Sequence, residues 1–532
     1  MVRRLKSGFW CRQGKVLGLL LAAGLVVSAC GGGSAAPSAA ASVNQSKQTL
    51  RVGVSGIPPA ADPWKQGALQ EPASFSFTPV FDTLLRSENG VLQPRLALSW
   101  KNTSPTTWQF TLRPNVKFQN GQAFTSSDVV GDVEYLRDTT AGLATSTAVE
   151  ISTVTSARAL GPLSVEVTTS NTDASLPNQM GAIVILPSQY WNEQGPVGFA
   201  KAPIGTGPYM VDSWSSSKVT YSAFKGAWDP AKIGNLVITS LTNASASLQA
   251  LQSNEIDLDL GMDPSQIGQA KSAGLKVYGK PSNNLQVLAF CNTCNLTGVA
   301  ADAAKALSDP RVRQALNYAI DKQAMIKTIY ANTSSTAGSQ STEGVFGFNP
   351  AVKPFPYDPT KAKALLAEAG YPNGFVLPIT AYANVVPGDV LMMDAVKANL
   401  AKIGVNAVIT DLPVATWVQL EDTNGWSTPV FLRGDNPAPD YSLSRVYNNY
   451  TCTRKPAWWC DQAQSSLIAQ SNSTLNSAKR QQLLFQVAES FHNNPSDIYL
   501  VTQADISASK SALTGFSTIQ YGLVDWQALR LS

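Results

Sequence analysis

The stretch Trp108–Arg137, WQFTLRPNVKFQNGQAFTSSDVVGDVEYLR, decides the fold class. Its first eleven residues read as extended chain, with Trp108, Phe110 and Leu112 alternating with polar neighbours. The second half reads as a helix, with Thr125 or Ser126 as cap and Asp128 in the first turn. Strand followed by helix recurs along the chain. Leu50, Val52 and Val54 alternate in TLRVGVSG, where order is expected to begin. Asp309-Pro310 opens a helix over RVRQALNYAIDKQAMIKTIY, with Val312, Leu316, Ala319 and Ile320 on one face. Asp358-Pro359 opens another over TKAKALLAEAG, which Gly370 ends. No fixed repeat period is present, so the pattern is mixed α/β rather than a solenoid.

The 532 residues exceed one ordinary core, and at roughly 150 residues per domain they suggest about three domains or two large lobes. Hydrophobic residues at 44% and charged ones at 14% describe a globular chain. Residues 1–29 read as a signal peptide: Arg3, Arg4, Lys6, Arg12 and Lys15 without an acid, then the apolar run VLGLLLAAGLVV. Val27-Ser28-Ala29-Cys30 fits a lipobox, with Cys30 as the diacylated first residue of the mature chain. A plain signal peptide with an unrelated cysteine is the alternative. Residues 30–47 then form a lipidated cysteine and a flexible tether, with a reach of about 20–25 Å. The expected location is the extracytoplasmic face of the cell membrane, held by lipid.

Loss of residues 1–29 removes five of the 40 cations and none of the 36 acids, which leaves a nearly neutral chain. That balance argues against nucleic acid as a partner. Cys291, Cys294, Cys452 and Cys460 remain in the body. Two local disulfides, 291 with 294 and 452 with 460, suit an oxidising compartment. Four cysteines allow three pairings, and a four-cysteine zinc site is the sharper alternative because CNTC has ligand spacing.

Enzyme signatures are scarce. With His492 as the single histidine, no HExxH zinc site can form, and SFHNNPSD places His492 just past an apparent helix end, in a surface or capping role. No G-x-S-x-G occurs. Gly205-Thr206-Gly207-Pro208 begins like a dinucleotide fingerprint but has Met210 where the third glycine belongs. GLKVYGK, Gly274–Lys280, has P-loop spacing, yet Pro281 replaces the magnesium-binding Ser or Thr. The expectation is a binding protein without cofactor or metal, not an enzyme.

Five segments in order resemble the solute-binding proteins of family 5, the peptide and nickel receptors of ABC importers. They are FDTLLRSENGVLQPRLALSWKNTSPTTWQFTLRPNVKFQNGQAFTSSDVV, APIGTGPYMVDSW, ALQSNEIDLDL, SDPRVRQALNYAIDKQAMI and YDPTKAKALLAEAGYPNGF, spanning Phe81–Phe375. The resemblance implies an α/β, periplasmic-binding-protein-like fold of type II (cluster C), with two lobes, three subdomains and a ligand cleft between the lobes. It implies domain I from 46–86, 201–284 and 506–532, domain II from 87–200, and domain III from 285–505. It also implies a peptide ligand, an ABC permease as partner, and a monomer. Gly205-Thr206-Gly207-Pro208-Tyr209 falls where the chain returns to domain I, where glycines relieve backbone strain.

In FLRGDNPAPDY, Phe431–Tyr441, the family's aspartate motif lands on Leu432-Arg433-Gly434-Asp435-Asn436. By that likeness Asp435 pairs with a peptide's α-ammonium, and backbone groups of Phe431 and Arg433 bond the ligand main chain. Trp417 matches a pocket-lining tryptophan, or else anchors a helix. Arg433 meets a ligand carboxylate, or pairs locally with Asp440 or another acid. Leu432 replaces the tryptophan common in the family, so the pocket's shape departs from it. An oligosaccharide or metal chelate is the alternative solute, although one histidine offers nickel little. A regulatory or scaffolding envelope lipoprotein is the alternative role, and its sign is a filled cleft with Leu432 packed against its neighbours. A secreted hydrolase needs His492 at a cleft beside a nucleophile.

Overall fold

A computed structural model describes residues 48–138, 142–517 and 523–532. The expected signal peptide, Cys30 and the tether to residue 47 lie outside the described residues. No helix among the described residues is long and apolar enough to cross a membrane.

Ten strands form the main sheet, in the order Asn406–Leu412, Val376–Tyr382, Val430–Asp435, Lys276–Phe290, Asp497–Ser509, Leu258–Leu260, Thr49–Val54, Asn235–Ser240, Lys218–Ala223 and Tyr209–Trp214. A second, antiparallel sheet joins Ala97–Ser104, Thr107–Leu112, Ser164–Thr169 and Val154–Gly161. Two large hydrophobic cores divide the molecule, one from Leu50 to Ile238 with Leu258, Leu260 and Leu513–Leu529, the other from Leu285 to Val501, and a smaller cluster joins Leu248, Leu251 and Ile256 to Ile506 and Ala508. Only the two long strands, Lys276–Phe290 and Asp497–Ser509, belong to both halves of the sheet. They pair antiparallel along their length.

Strand direction explains where a site can form. Thr49–Val54 runs parallel to Asn235–Ser240 and Leu258–Leu260 beside the first core. Val376–Tyr382 runs parallel to Asn406–Leu412 and Val430–Asp435 beside the second. Leu260 pairs with Ser507, whereas Asp435 pairs with Leu285, itself opposite Thr502. The carboxyl ends of both parallel sets therefore point at the same middle section of the crossing strands. Open α/β sheets bind ligands outside such carboxyl ends. The crossing ladder also loses register there: Pro281 faces Ala504 and Leu285 faces Thr502, so Ser282, Asn283 and Asn284 face Gln503 alone. A bulge of that kind bends a strand and weakens its pairing locally.

Local capping follows the sequence closely. Thr125 precedes the helix Ser126–Leu136, and its backbone N–H donates to Asp128 Oδ2 at 2.8 Å. Asp309 Oδ1 accepts from the Arg311 N–H ahead of Pro310–Ala319, and Asp358 Oδ1 from Lys361 ahead of Pro359–Glu368. Gly370, at φ +91°, follows the end of the latter. The long helix expected through Tyr330 is two helices instead. Ile320 is extended, and Asp321 caps a new helix, Lys322–Thr328. This break turns Lys322 inward, where Nζ donates to the Asn317 carbonyl at 2.9 Å and satisfies an otherwise open helix end. Burial lowers the Lys322 pKa to about 7.

The glycines of Gly205-Thr206-Gly207-Pro208 serve packing rather than strain. A Cβ on Gly205 would stand 2.0 Å from the Val80 carbonyl oxygen, and one on Gly207 2.6 Å from the Val80 carbonyl carbon. Only bare backbone fits, and Gly207 N–H donates to Val80 O at 2.9 Å. Thr206 Oγ1 and Trp228 Nε1 both donate to Asp82, which also pairs with Arg95 at 2.8 Å. Distant segments of the first core thus meet on one carboxylate. The chance P-loop spacing of Gly274–Lys280 lies at the start of a crossing strand.

Candidate functional site

A cavity of about 690 Å³ opens where the strand ends converge. One wall comes from the first core: Ser55, Glu71, Phe75, Thr242 and Leu260–Pro264. The facing wall is Tyr330 and Asn384–Leu391, just past the carboxyl end of Val376–Tyr382. Gln503–Ser507 of a crossing strand forms the floor. The volume falls within the range of roughly 300–1,000 Å³ typical of small-solute sites.

Two of the four acids on this surface are spent locally. Asp389 accepts backbone N–H groups of Asn384, Val385, Val386 and Val390, at 2.7–3.2 Å, and so fixes the loop that carries them. Asp263 accepts from the Ser265 N–H and hydroxyl as the cap of Pro264–Gln266. Glu71 is open to the cavity. Enclosure between the walls, and next the neighbouring Asp505, push its carboxyl well above the usual range. Burial raises Asp505 to about 6, opposed by Lys280, its partner across the ladder.

None of the sequence-predicted residues lines this cavity. Phe431 and Leu432 are fully buried in the second core. Phe431 stacks on Trp426 at 4.1 Å, and Trp417 packs against Tyr382, Trp426 and Phe431 as a buried helix anchor. Gly434 passes beneath Asn284 and Gln286, where a Cβ would come within 2.5 Å of Asn284 Oδ1. Asn436 accepts from the Ala438 N–H in the turn that follows. The ladder between Val430–Asp435 and Val376–Tyr382 ends at Phe431, so Leu432–Gly434 has no strand partner on that side.

Asp435, 1% exposed, is enclosed by its own chain. The Tyr450 hydroxyl lies 2.8 and 3.0 Å from its two oxygens and 2.9 Å from Asp497 Oδ1. One phenolic proton cannot serve both carboxylates. Burial, then the nearby Asp435, push the Asp497 carboxyl well up, which fits an Asp497 that keeps its own proton. Ser496 and Gln340 donate to its other oxygen. Burial raises Asp435 to about 6, with Arg433 and Tyr450 pulling the other way. Arg433 pairs with Asp435 at 3.4 Å and Glu421 at 3.6 Å, not with Asp440, and lies over the Trp458 ring at 4.6 Å.

Asp440 belongs to a seam between residues 149–179 and 440–480. Its carbonyl accepts from Asn178 Nδ2 at 3.0 Å, Arg445 pairs with buried Glu150, and Arg480 donates to the Ala174 carbonyl. Burial lifts Asp440 to about 7, offset by Arg445, the Ser442 N–H and Arg480. Cys291 bonds to Cys294 and Cys452 to Cys460. No cluster of potential metal ligands is present among the described residues. His492 lies inside the last turn of Ser477–Asn493, not past its end; its Nδ1 meets the Gly338 carbonyl and its ring stacks on Phe355.

Glu71 and Asp505 were not singled out in the sequence. They stand 434 positions apart, and only the crossing strands bring them together. The available signal was Asp505 itself, an acid inside the otherwise uncharged strand run IYLVTQADISAS.

A sheet shared by two cores, with a solute-sized cavity at the converging strand ends, defines a two-lobed α/β binding protein. A family model described as bacterial extracellular solute-binding proteins, family 5 Middle, matches residues 91–457, and the chain belongs to that family. Its members are extracytoplasmic solute receptors of ABC importers. The chain is 26% identical over 442 residues to di/tripeptide-binding protein 3 of Pseudomonas aeruginosa, covering 76% of this chain and 81% of that one. It is 27% identical over 460 residues to heme-binding protein A of Haemophilus influenzae, covering 80% and 82%. Among solved structures, a putative peptide-binding protein AppA from Clostridium difficile superposes with a TM-score of 0.79 at 19% identity, covering 91% of this chain and all of that one. DppA from Helicobacter pylori in complex with the peptide STSA gives 0.71 at 22%, covering 92% and 99%.

Proposed function

We propose that this protein is the substrate-binding lipoprotein of an ABC importer, which captures di- or oligopeptides between two lobes and delivers them to the permease. The observation that carries this reading is the cavity at the convergence of both sets of strand ends, floored by Gln503–Ser507 of a strand that crosses between the two halves of the sheet. The lobes are domains I and II, 46–86, 201–284 and 506–532 with 87–200, against domain III, 285–505. They close about the bulge at Ser282–Asn284. The peptide adds along the free edge of Leu432–Gly434, where its main chain meets backbone groups whatever its side chains are. Asp435 lies at the end of that edge, and its charge favours the peptide's ammonium end. Arg433 acts through its backbone, since its guanidinium already faces Glu421 and Asp435.

Residues 1–29 direct export and Cys30 carries the lipid, so the body stands on the outer face of the membrane. The peptide-binding relatives support the solute class. The scaffolding alternative needs a filled cleft; Leu432 is indeed packed, but the cavity at the converging strand ends is open. Calorimetry of the purified protein against a pool of di- to tetrapeptides tests the reading. Saturable one-to-one binding is expected, and heme or a sugar binding where no peptide does would replace it.

A further inference from the structure

The two walls of the cavity differ in chemistry. Asp505 on the floor and Glu71 beside it present carboxylates, and Asp505 Oδ2 is shut off from water without a hydrogen-bond partner. A carboxylate oxygen in that state is costly until a donor reaches it. Asp505 adds to the rise of the Glu71 carboxyl that enclosure begins, and burial raises Asp505 against the pull of Lys280, so a cation bound between the two acids favours the charged form of both.

The facing wall is aliphatic and uncovered. Val385, Val390 and Leu391 are 45%, 43% and 59% exposed on the rim that Asp389 holds in place. Apolar surface kept in a fixed shape at a cavity mouth gains free energy when hydrocarbon covers it. An anionic solute meets repulsion at the floor, and a wholly polar one leaves the rim wet.

We propose that the cleft selects a cationic solute with an apolar part, its ammonium seated between Glu71 and Asp505 and its hydrocarbon against Val385, Val390 and Leu391. For a peptide this means a free amino terminus next to apolar side chains. The inference rests on the cleft being the solute site, and it names the class of solute taken there. It also assigns the cation-reading contact to Glu71 and Asp505, which line the cavity, as Asp435 does not.

Calorimetry on the unaltered protein uses two matched pairs: trileucine against N-acetyl-trileucine, and phenethylamine against 3-phenylpropionate. Trileucine is expected to bind about tenfold or more tighter than its acetylated form, and phenethylamine to bind where the acid does not. Glu71→Gln and Asp505→Asn are each expected to weaken trileucine about tenfold while leaving N-acetyl-trileucine unchanged. Equal binding of the matched partners, or full trileucine affinity in both variants, overturns the inference and leaves peptide capture standing. Binding of phenethylamine without any binding of trileucine removes the peptide reading and keeps the cation site. Failure of both amines overturns the inference. The matched pairs keep the test decisive if a variant does not fold.

Discussion

Two buried carboxylates, Asp435 in the second core's sheet and Asp505 on the cavity floor, are both raised to about 6 and differ in their partners. Asp435 is enclosed by Tyr450, Arg433 and Asp497, with donors in place. Asp505 lines the cavity but carries an oxygen that is closed off from solvent and that no donor reaches. A raised pKa therefore does not by itself mark a ligand contact. What separates the groups is whether the protein has already supplied the partner. The network about Asp435 satisfies that carboxylate although Arg433 Nε and Nη1 lack hydrogen-bond partners, whereas at Asp505 it is the carboxylate oxygen itself that lacks one.

The comparison breaks most visibly through Arg433. Arg433→Met leaves Asp435 and Glu421 without their counter-ion, and denaturant unfolding should show a loss of about 3–5 kcal/mol. A loss no larger than that of a surface substitution would mean that the network is not structural. Replacing Cys452 and Cys460 by serine opens the short loop that carries Trp458 and is expected to cost about 2–3 kcal/mol in the same assay. Tyr450→Phe removes the hydroxyl shared by Asp435 and Asp497, at about 1–3 kcal/mol.

Asp505→Asn should raise stability at neutral pH, where the parent holds an ionised carboxylate that burial disfavours, and its signature is in the pH profile. The folded pKa of Asp505, about 6, lies above its unfolded value, so the folded state binds the proton more tightly. That contribution is fully present below about pH 4 and is lost as pH rises through 6. Melting curves between pH 7 and 5 should therefore show stability rising with acid in the parent and rising less in the variant. Amine binding needs the ionised carboxylate, so affinity is expected to fall as pH drops below 6, with proton release detected by calorimetry in buffers of different ionisation enthalpy. Glu71, Lys280 and Tyr441 share this electrostatic environment and broaden the transition.

The sequence made the local devices legible and the assembled site only partly so. Thr125, Asp309 and Asp358 announce helix starts because each cap lies within three residues of its hydrogen-bond partner. The break at Ile320 is less visible, since the apolar face runs on through it and the reason for it, the inward turn of Lys322 onto Asn317, depends on packing. The pair of glycines at 205 and 207 shows in the sequence, but their cause, the Val80 backbone, lies 125 positions away from Gly205. The resemblance to family 5 placed Asp435 at the end of its strand. It could not show that Tyr450 and Arg433 already hold that carboxylate, nor that Asp505 and Glu71 face the cavity, because no local spacing encodes a contact made by crossing strands.

Native mass spectrometry of the freshly purified protein tests the central claim most directly, in the parent and in Leu391→Trp, whose exposed side chain lies at the cavity rim. The account predicts a one-to-one peptide adduct, copurified or added, in the parent and its loss when the indole fills the cleft. A peptide adduct that survives Leu391→Trp undiminished, or a parent that takes up no peptide at all, would contradict it.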